Sequence, residues 1–241
     1  MHIASCRNLY YTYPGADFPV FSNLDWSLEG PGFFGLFGLS GTGKSTLARL
    51  ISGELSPGQG EIDYPKTGRI LYTHNAERIP GWYTVGAHLR SVTPASKTSL
   101  LTTILKDYGM EAHLESRFSG LSMGQKNRIN LARYLVQEFD LLIADEVLAN
   151  VDEPTRNHIL ERLKTLFPQK TFLYISHNAL EVARFSQAVH VLPHGSTAGT
   201  NRIHKITGLD QQEGMETPED LVQERVYAVL RSAASNSEPK P

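Results

Sequence analysis

The stretch Gly38-Leu39-Ser40-Gly41-Thr42-Gly43-Lys44-Ser45-Thr46 decides how this chain of 241 residues is read. It fits the pattern G-x-x-x-x-G-K-S/T. It lies between an apolar run, Phe33-Phe34-Gly35-Leu36-Phe37, and a segment with Leu47, Ala48, Leu50 and Ile51 at helical spacing. Strand, glycine-rich loop and helix thus follow in the order a phosphate-binding loop needs, and Gly53 suits the left-handed position that ends the helix. Gly38, Gly41 and Gly43 let the backbone curl so that several N–H groups face a β-phosphate, with Ser40 and Thr42 in the same cradle. The helix N-terminus adds roughly half a positive charge there. Lys44 reaches the β- and γ-phosphates and Ser45 presents its hydroxyl to Mg²⁺, while Thr46 completes the stretch with a side chain suited to packing. A nucleoside triphosphate is the ligand this stretch predicts.

Around the loop, 40% hydrophobic and 20% charged residues are the proportions of a soluble globular chain with one large core and room for a modest subdomain. The formal net charge of -2 provides no electrostatic argument for nucleic acid, and none is expected as a partner. No apolar run approaches the ~18 residues of a membrane span, and no signal-peptide pattern opens the chain, which predicts a cytoplasmic protein. Cys6 is the one cysteine, so no internal disulfide forms, and its place is a buried or half-buried strand position.

Ahead of the loop, Ile3 to Tyr13 and Val20 to Leu28 are β-prone, broken by Pro14-Gly15 and closed by Gly30-Pro31-Gly32, which predicts an antiparallel flap. Behind it come a turn at Ser56-Pro57-Gly58-Gln59-Gly60 and a strand at Arg69-Ile70-Leu71-Tyr72-Thr73. From about Thr84 to Glu115 the pattern is helical, with Leu100, Leu101, Ile104 and Leu105 on one face, predicting a satellite subdomain. Buried parallel strands are predicted at Leu141-Leu142-Ile143-Ala144, Thr171-Phe172-Leu173-Tyr174-Ile175 and Val189-His190-Val191-Leu192, and the fold class is α/β. Thr217-Pro218-Glu219-Asp220 reads as the start of a last helix that buries Val222, Val226, Val229 and Leu230. The Ser232-to-Pro241 tail is expected to be disordered. His190 and His194 are four apart, but Pro193 and Gly195 break any helix that would align them for a metal.

The strand Leu141-Leu142-Ile143-Ala144 ends in Asp145-Glu146, two carboxylates with different tasks. Asp145 approaches the Mg²⁺ shell through water, and Glu146 stands near the γ-phosphate to orient or deprotonate the attacking water. Between this pair and the loop lies Leu121-Ser122-Met123-Gly124-Gln125, running into a helix through Leu135. It resembles the LSGGQ signature of the ATP-binding-cassette (ABC) ATPases. Ala149-Asn150-Val151-Asp152 is similar to that family's D-loop, with Asp152 the matching aspartate, and His177 matches its switch histidine. The resemblance runs from about Ile3 to Gly195 with the motifs in family order.

That resemblance implies one ABC ATPase domain over residues 1–231, followed by the tail 232–241. Its phosphate-loop NTPase core would cover about 1–83 and 120–205, its small α-helical subdomain about 84–119 and its C-terminal helix about 217–231. It implies ATP and Mg²⁺ as cofactors, Glu146, His177 and Lys44 as catalytic residues, and two such domains facing head to tail. Each ATP then lies between the loop of one copy and Ser122, Gly124, Gln125 and Asp152 of the other, as a homodimer or heterodimer. Tyr13 is similar to the aromatic residue that stacks on adenine, with Tyr11 as its competitor.

Two positions depart from the family pattern. Where the family has a glutamine after the strand, this chain has Thr73-His74-Asn75-Ala76; alignment from the strand selects His74 as the Mg²⁺ contact, and alignment from Thr84-Val85 selects Asn75. Met123 replaces the first paired glycine, and its Cβ disfavours a positive φ there. The absence of coiled-coil insertions and of a second cassette favours a transporter subunit over a repair or translation ATPase, and a single-cassette cofactor-assembly ATPase is the alternative. Arg78-Ile79-Pro80-Gly81-Trp82-Tyr83-Thr84-Val85 resembles a loop of nitrate, sulfonate and taurine importers, with Trp82 either characteristic of that loop or an apolar plug under the subdomain. An importer subunit implies membrane permease subunits as partners, an extracytoplasmic solute-binding protein as an indirect one, and a peripheral place on the cytoplasmic face of the plasma membrane.

Overall fold

The apolar runs become the strands of two sheets in the computed structural model, which describes residues 2–64, 68–75, 77, 81–193 and 202–234. The first sheet is an antiparallel flap of β1 (His2–Tyr11), β2 (Phe21–Glu29) and β4 (Gln59–Asp63), with β1 in the middle. The second is the six-stranded core, in the order β5 (Ile70–His74), β6 (Leu141–Asp145), β7 (Thr171–Ile175), β3 (Gly32–Gly38), β8 (Ala188–Leu192) and β9 (His204–Thr207). Neighbours from β5 to β8 are parallel, and β9 is antiparallel to β8.

Every residue of β6, β7 and β8 is buried, because layers cover both faces of the core sheet. Alternation sends Phe34, Leu36, Leu141, Ile143, Leu173 and Ile175 to the flap and to α1 (Lys44–Ile51). It sends Phe33, Phe37, Leu142, Ala144, Phe172 and Tyr174 to the helices of the opposite face. Those helices include α4 (Met123–Leu135), α5 (Glu153–Leu166), α6 (Ala179–Phe185) and α7 (Glu219–Ala234). The helical stretch before α4 forms α2 (Val85–Val92) and α3 (Thr98–Asp107), joined by one 3₁₀ turn and followed by two more before α4. Thr84 caps α2 by accepting the Ala87 N–H at 3.2 Å. Leu101, Ile104 and Leu105 of α3 are buried. Trp82 is 75% exposed, so it is not a plug beneath this subdomain, and part of the loop it belongs to, with Arg78, Ile79 and Pro80, lies outside the described residues.

The last helix differs from its expected outline. Val222, Val229 and Ala233 are buried, while Leu230 is 45% exposed, because the buried stripe continues at Ala233 rather than turning to Leu230. The helix begins at Glu219 with Val222 N–H on the Pro218 carbonyl, and the Thr217 hydroxyl is buried without a hydrogen-bond partner instead of capping it. It runs through Ala234, so the first residues of the expected tail are helical; residues 235–241 lie outside the described residues, as do His194 and Gly195. No helix among the described residues is long and apolar enough to cross a membrane.

Cys6 is buried in β1 with its thiol directed at the Leu24 carbonyl, and burial pushes its pKa up to about 12. His190, in the middle of β8, accepts the Trp26 indole N–H at 3.0 Å. Burial, helped by nearby Lys205, lowers its pKa to about 4. A histidine depressed in the fold is neutral there while the unfolded chain takes up a proton, so its contribution to stability is full above pH ~6.5 and is lost as the pH falls towards 4. The loss should be roughly 3 kcal/mol at the acid end, and urea unfolding at pH 7 and pH 4.5 should show a smaller difference in His190→Gln than in the native chain.

Candidate nucleotide-binding site

Between β3 and α1 the loop closes on itself through Thr42, whose N–H and hydroxyl donate to the Leu39 carbonyl at 3.3 and 2.9 Å. Gly41 and Gly43 hold φ of +82° and +99°. At Gly43 a methyl group would also stand 2.8 Å from Val20, so glycine is required there twice over. Lys44 folds over the loop and donates to the Gly38 and Leu39 carbonyls at 2.8 and 3.1 Å. Burial lowers its pKa against the opposing pull of Glu146 and Asp145. The loop opens on a cleft of about 640 Å³ whose walls include Ser40, Gly41, Ser45 and Thr46 together with Tyr13, Glu146 and His177. Tyr13 lies past the end of β1 and its hydroxyl meets that of Thr46 at 3.1 Å, while Tyr11 is buried edge-on behind it. Thr46 thus holds Tyr13 as well as packing.

Parallel register sets Asp145 opposite both His74 and Ile175, at the end of the sheet from which the loop emerges. Asp145 is buried and accepts the Tyr72 hydroxyl at 3.0 Å. Burial raises its pKa, and hydrogen bonds from Ser45 and Tyr72 oppose the rise. Glu146 has a left-handed backbone, φ +52°, held by its N–H on the Ile175 carbonyl (2.9 Å) and its carbonyl on the Ala149 N–H (3.1 Å). Such a conformation costs about 1–3 kcal/mol in a residue with a side chain and persists where the surroundings enforce it, as they do at functional sites. It directs the carboxylate into the cleft, with Oε1 3.3 Å from His177 Nδ1.

His74 and Asn75 share the edge of a second recess with Ser45, Asp145 and Glu146, but their side chains do different things. The exposed His74 ring lies 5.7 Å from the Tyr72 ring, with Nδ1 3.0 Å from the Asn75 carbonyl. Asn75 extends the ladder through its N–H to the Asp145 carbonyl, and its side-chain oxygen accepts from Asn127 of α4 (2.9 Å) and Asn150 (3.2 Å). Glu77, which the sequence pattern does not single out, accepts from Thr73, Asn130 and Tyr134 and pairs with Arg133. One face of α4 therefore grips this segment at Thr73, Asn75 and Glu77.

At the start of α4, Ser122 accepts the Gln125 N–H (3.2 Å) and Gln125 accepts the Ser122 N–H (2.8 Å), a capping box that fits the sequence spacing. The Gln125 amide nitrogen also meets His113, so this side chain shapes the helix within its own chain. Met123 and Gly124 are helical, and neither has a positive φ, so the conflict expected at Met123 does not arise. What position 124 requires is the absence of a Cβ, because a methyl group would collide with the Asn150 carbonyl oxygen. Asp152 caps α5, accepting the Thr155 N–H at 3.0 Å, and hydrogen bonding to Thr155 holds its carboxyl below the ordinary range. None of Ser122, Gly124, Gln125 or Asp152 lines the cleft of the phosphate loop.

The sequence pattern of the ABC transporter family matches residues 21–149, more than half of the chain. The chain belongs to the ABC transporter family. Its ATP-binding cassette is 34% identical over 181 residues to an uncharacterized ABC transporter ATP-binding protein of Haemophilus influenzae, covering 72% of this chain and 75% of that one. It is 31% identical to the molybdenum import ATP-binding protein ModC of Photorhabdus laumondii, over 78% of this chain and 58% of that one. It is 30% identical to the Nod factor export ATP-binding protein I of Rhizobium meliloti, over 84% of this chain and 65% of that one. The fold superposes with a TM-score of 0.70 and 21% identity on a dimeric ATP-binding cassette in a post-hydrolysis state with ADP and Pi, covering 85% of this chain and 98% of that one.

The cassette's Gly124 yields a direct test of the packing between α4 and the loop before α5. Gly124→Ala should cost about 1–3 kcal/mol in urea unfolding, the range of an overpacked contact. Met123→Gly, at an exposed first-turn position, should cost no more than about 1 kcal/mol. Equal effects would contradict the close approach of Asn150.

Proposed function

We propose that this chain is the ATP-hydrolysing subunit of a transporter, and that each ATP is held between two copies. The observation that carries the reading is the convergence of Lys44, Ser45, Asp145, Glu146 and His177 on one sheet end, with Ser122 and Gly124 at a helix N-terminus outside that cleft. The adenine stacks on Tyr13, and the phosphates lie on the loop N–H groups and Lys44, at the positive end of α1. Ser122, the Gly124 N–H and the start of α4 of a second copy meet the γ-phosphate from the far side. The nucleotide thereby joins the two copies, and its hydrolysis releases them.

The donor set suits Mg²⁺. Ser45 and Asp145 offer hard oxygen ligands, and a carboxylate held out of water gains from a cation. Ser45 and Asp145 would hold the cation, and Mg²⁺ in general keeps several waters among its ligands. When bound, Mg²⁺ neutralises charge on the β- and γ-oxygens. Glu146 accepts the proton of the attacking water or orients it, and His177 steadies the carboxylate and the γ-phosphate. His74, which shares a recess with Ser45 and Asp145, would contact the hydrated cation, while Asn75 is held by Asn127 and Asn150.

Import through separate permease subunits is the reading we prefer, at the cytoplasmic face of the plasma membrane and with a solute-binding protein as an indirect partner. It is supported by the ModC relative and by the importer-like loop that includes the exposed Trp82 and Tyr83, a surface suited to a short permease helix. The Nod factor relative is what favours export instead. For the hydrolytic step, Glu146→Gln should retain ATP binding while phosphate release falls by roughly 10²–10⁴. Lys44→Ala should weaken binding itself in an equilibrium titration. Near-native turnover in Glu146→Gln would remove Glu146 from the catalytic role.

A further inference from the structure

Glu181 lies outside the cleft and outside every sequence motif, yet its carboxylate is one of the most fully engaged charges in the fold. It is 6% exposed, on the first turn of α6. Oε2 accepts the hydroxyls of Tyr174 (2.9 Å) and Ser176 (3.0 Å), and Oε1 accepts the Asn178 amide (2.8 Å). Arg156 completes the set as an ion pair, Nε to Oε1 2.8 Å. Three hydrogen-bond donors and the opposite charge of Arg156 surround the carboxylate, which is what allows the charge to stay buried.

The placement of those donors is informative. Ser176 and Asn178 are the immediate chain neighbours of His177, and they are bound to each other through the Asn178 N–H on the Ser176 hydroxyl at 3.1 Å. Asn178 also caps α6, accepting the Leu180 N–H at 3.0 Å. His177 itself is exposed, and the contact that orients its ring towards the cleft is the 3.3 Å approach to Glu146. Arg156, at its other end, donates to the Val151 carbonyl at 2.8 Å, in the loop that carries Asn150 and Asp152. Apolar side chains in place of both members of a buried ion pair often serve stability as well as the pair does, so packing alone gives little reason for a charged pair at 181 and 156.

We infer that Glu181 is the positioning residue of His177, clamping both of its neighbours and, through Arg156, tying the histidine loop to the loop before α5. The inference rests on the reading of His177 as the partner of Glu146 in hydrolysis. Arg156 makes the two loops move together, so a displacement of Val151 is felt at His177.

A double-mutant cycle on the full chain separates this role from a structural one. Glu181→Gln should lower kcat about 10–100-fold, the scale of a slightly misplaced catalytic group, and leave the ATP dissociation constant within about twofold. His177→Ala should lower kcat about 10²–10³-fold. In the double variant kcat should lie within about threefold of His177→Ala alone, because Glu181 acts through the missing ring. Losses that multiply would overturn the inference, as would an unchanged kcat in Glu181→Gln. Native turnover in His177→Ala would overturn the underlying reading of His177 and this inference with it. If Glu181→Gln does not fold, Ser176→Ala removes one grip while keeping the carboxylate; the same cycle then decides, with an expected loss of about 3–10-fold.

Discussion

The in-register parallel pairing of β5, β6, β7 and β3 is the constraint on which the site depends. It sets His74 against Asp145, Asp145 against Ile175 and Ile175 against Leu36, so β5, β6 and β7 end in one row and β3 runs two residues past it to Gly38, where the phosphate loop begins. Of these, β6, β7 and β3 are apolar on both faces, and hydrophobic pattern alone leaves their register free to slip. Polar contacts at both ends pin it. At the far end Asp140 accepts the Arg69 N–H through its side chain, and its backbone bonds to Arg69 and Thr171. At the near end the Tyr72 hydroxyl holds Asp145. A slip of one residue would turn Asp145 to the other face of the sheet, away from Ser45 and Lys44.

The same row places charge where water is scarce. Burial lowers the pKa of Lys44 and raises that of Asp145, so each is a charge partly stripped of solvent. That is the condition under which fixed charges act strongly on a phosphate or a cation without having to reorganise. Glu146 adds backbone strain to this arrangement. Its left-handed φ is enforced by the Ile175 and Ala149 bonds, β6 ends one residue before it, and its carboxylate stands 3.3 Å from His177.

The parts of the site that are short in sequence were legible in it. The phosphate loop, the Asp145-Glu146 strand end and the Ser122 helix start each lie within a few consecutive residues whose spacing follows from one loop or one helical turn. The parts built from contacts across the chain were not. No local pattern announces that Gly124 must yield to the Asn150 carbonyl, that Glu77 collects Thr73, Asn130, Arg133 and Tyr134, or that Glu181 joins Ser176, Asn178 and Arg156. The capping pattern Asn178-x-x-Glu181 was the one available hint for the last of these. In α7 the buried stripe continues at Ala233 rather than Leu230, and a residue as small as alanine carries little weight in a hydrophobic pattern.

The central claim is that one chain carries two half-sites and that ATP joins them. Sedimentation velocity of the Glu146→Gln chain with Mg²⁺ and either ATP or ADP tests it most directly. The account predicts a dimer with ATP, a monomer with ADP, and no dimer once Ser122→Asp sets a carboxylate against the γ-phosphate. A chain that binds ATP to saturation and still sediments as a monomer would contradict it.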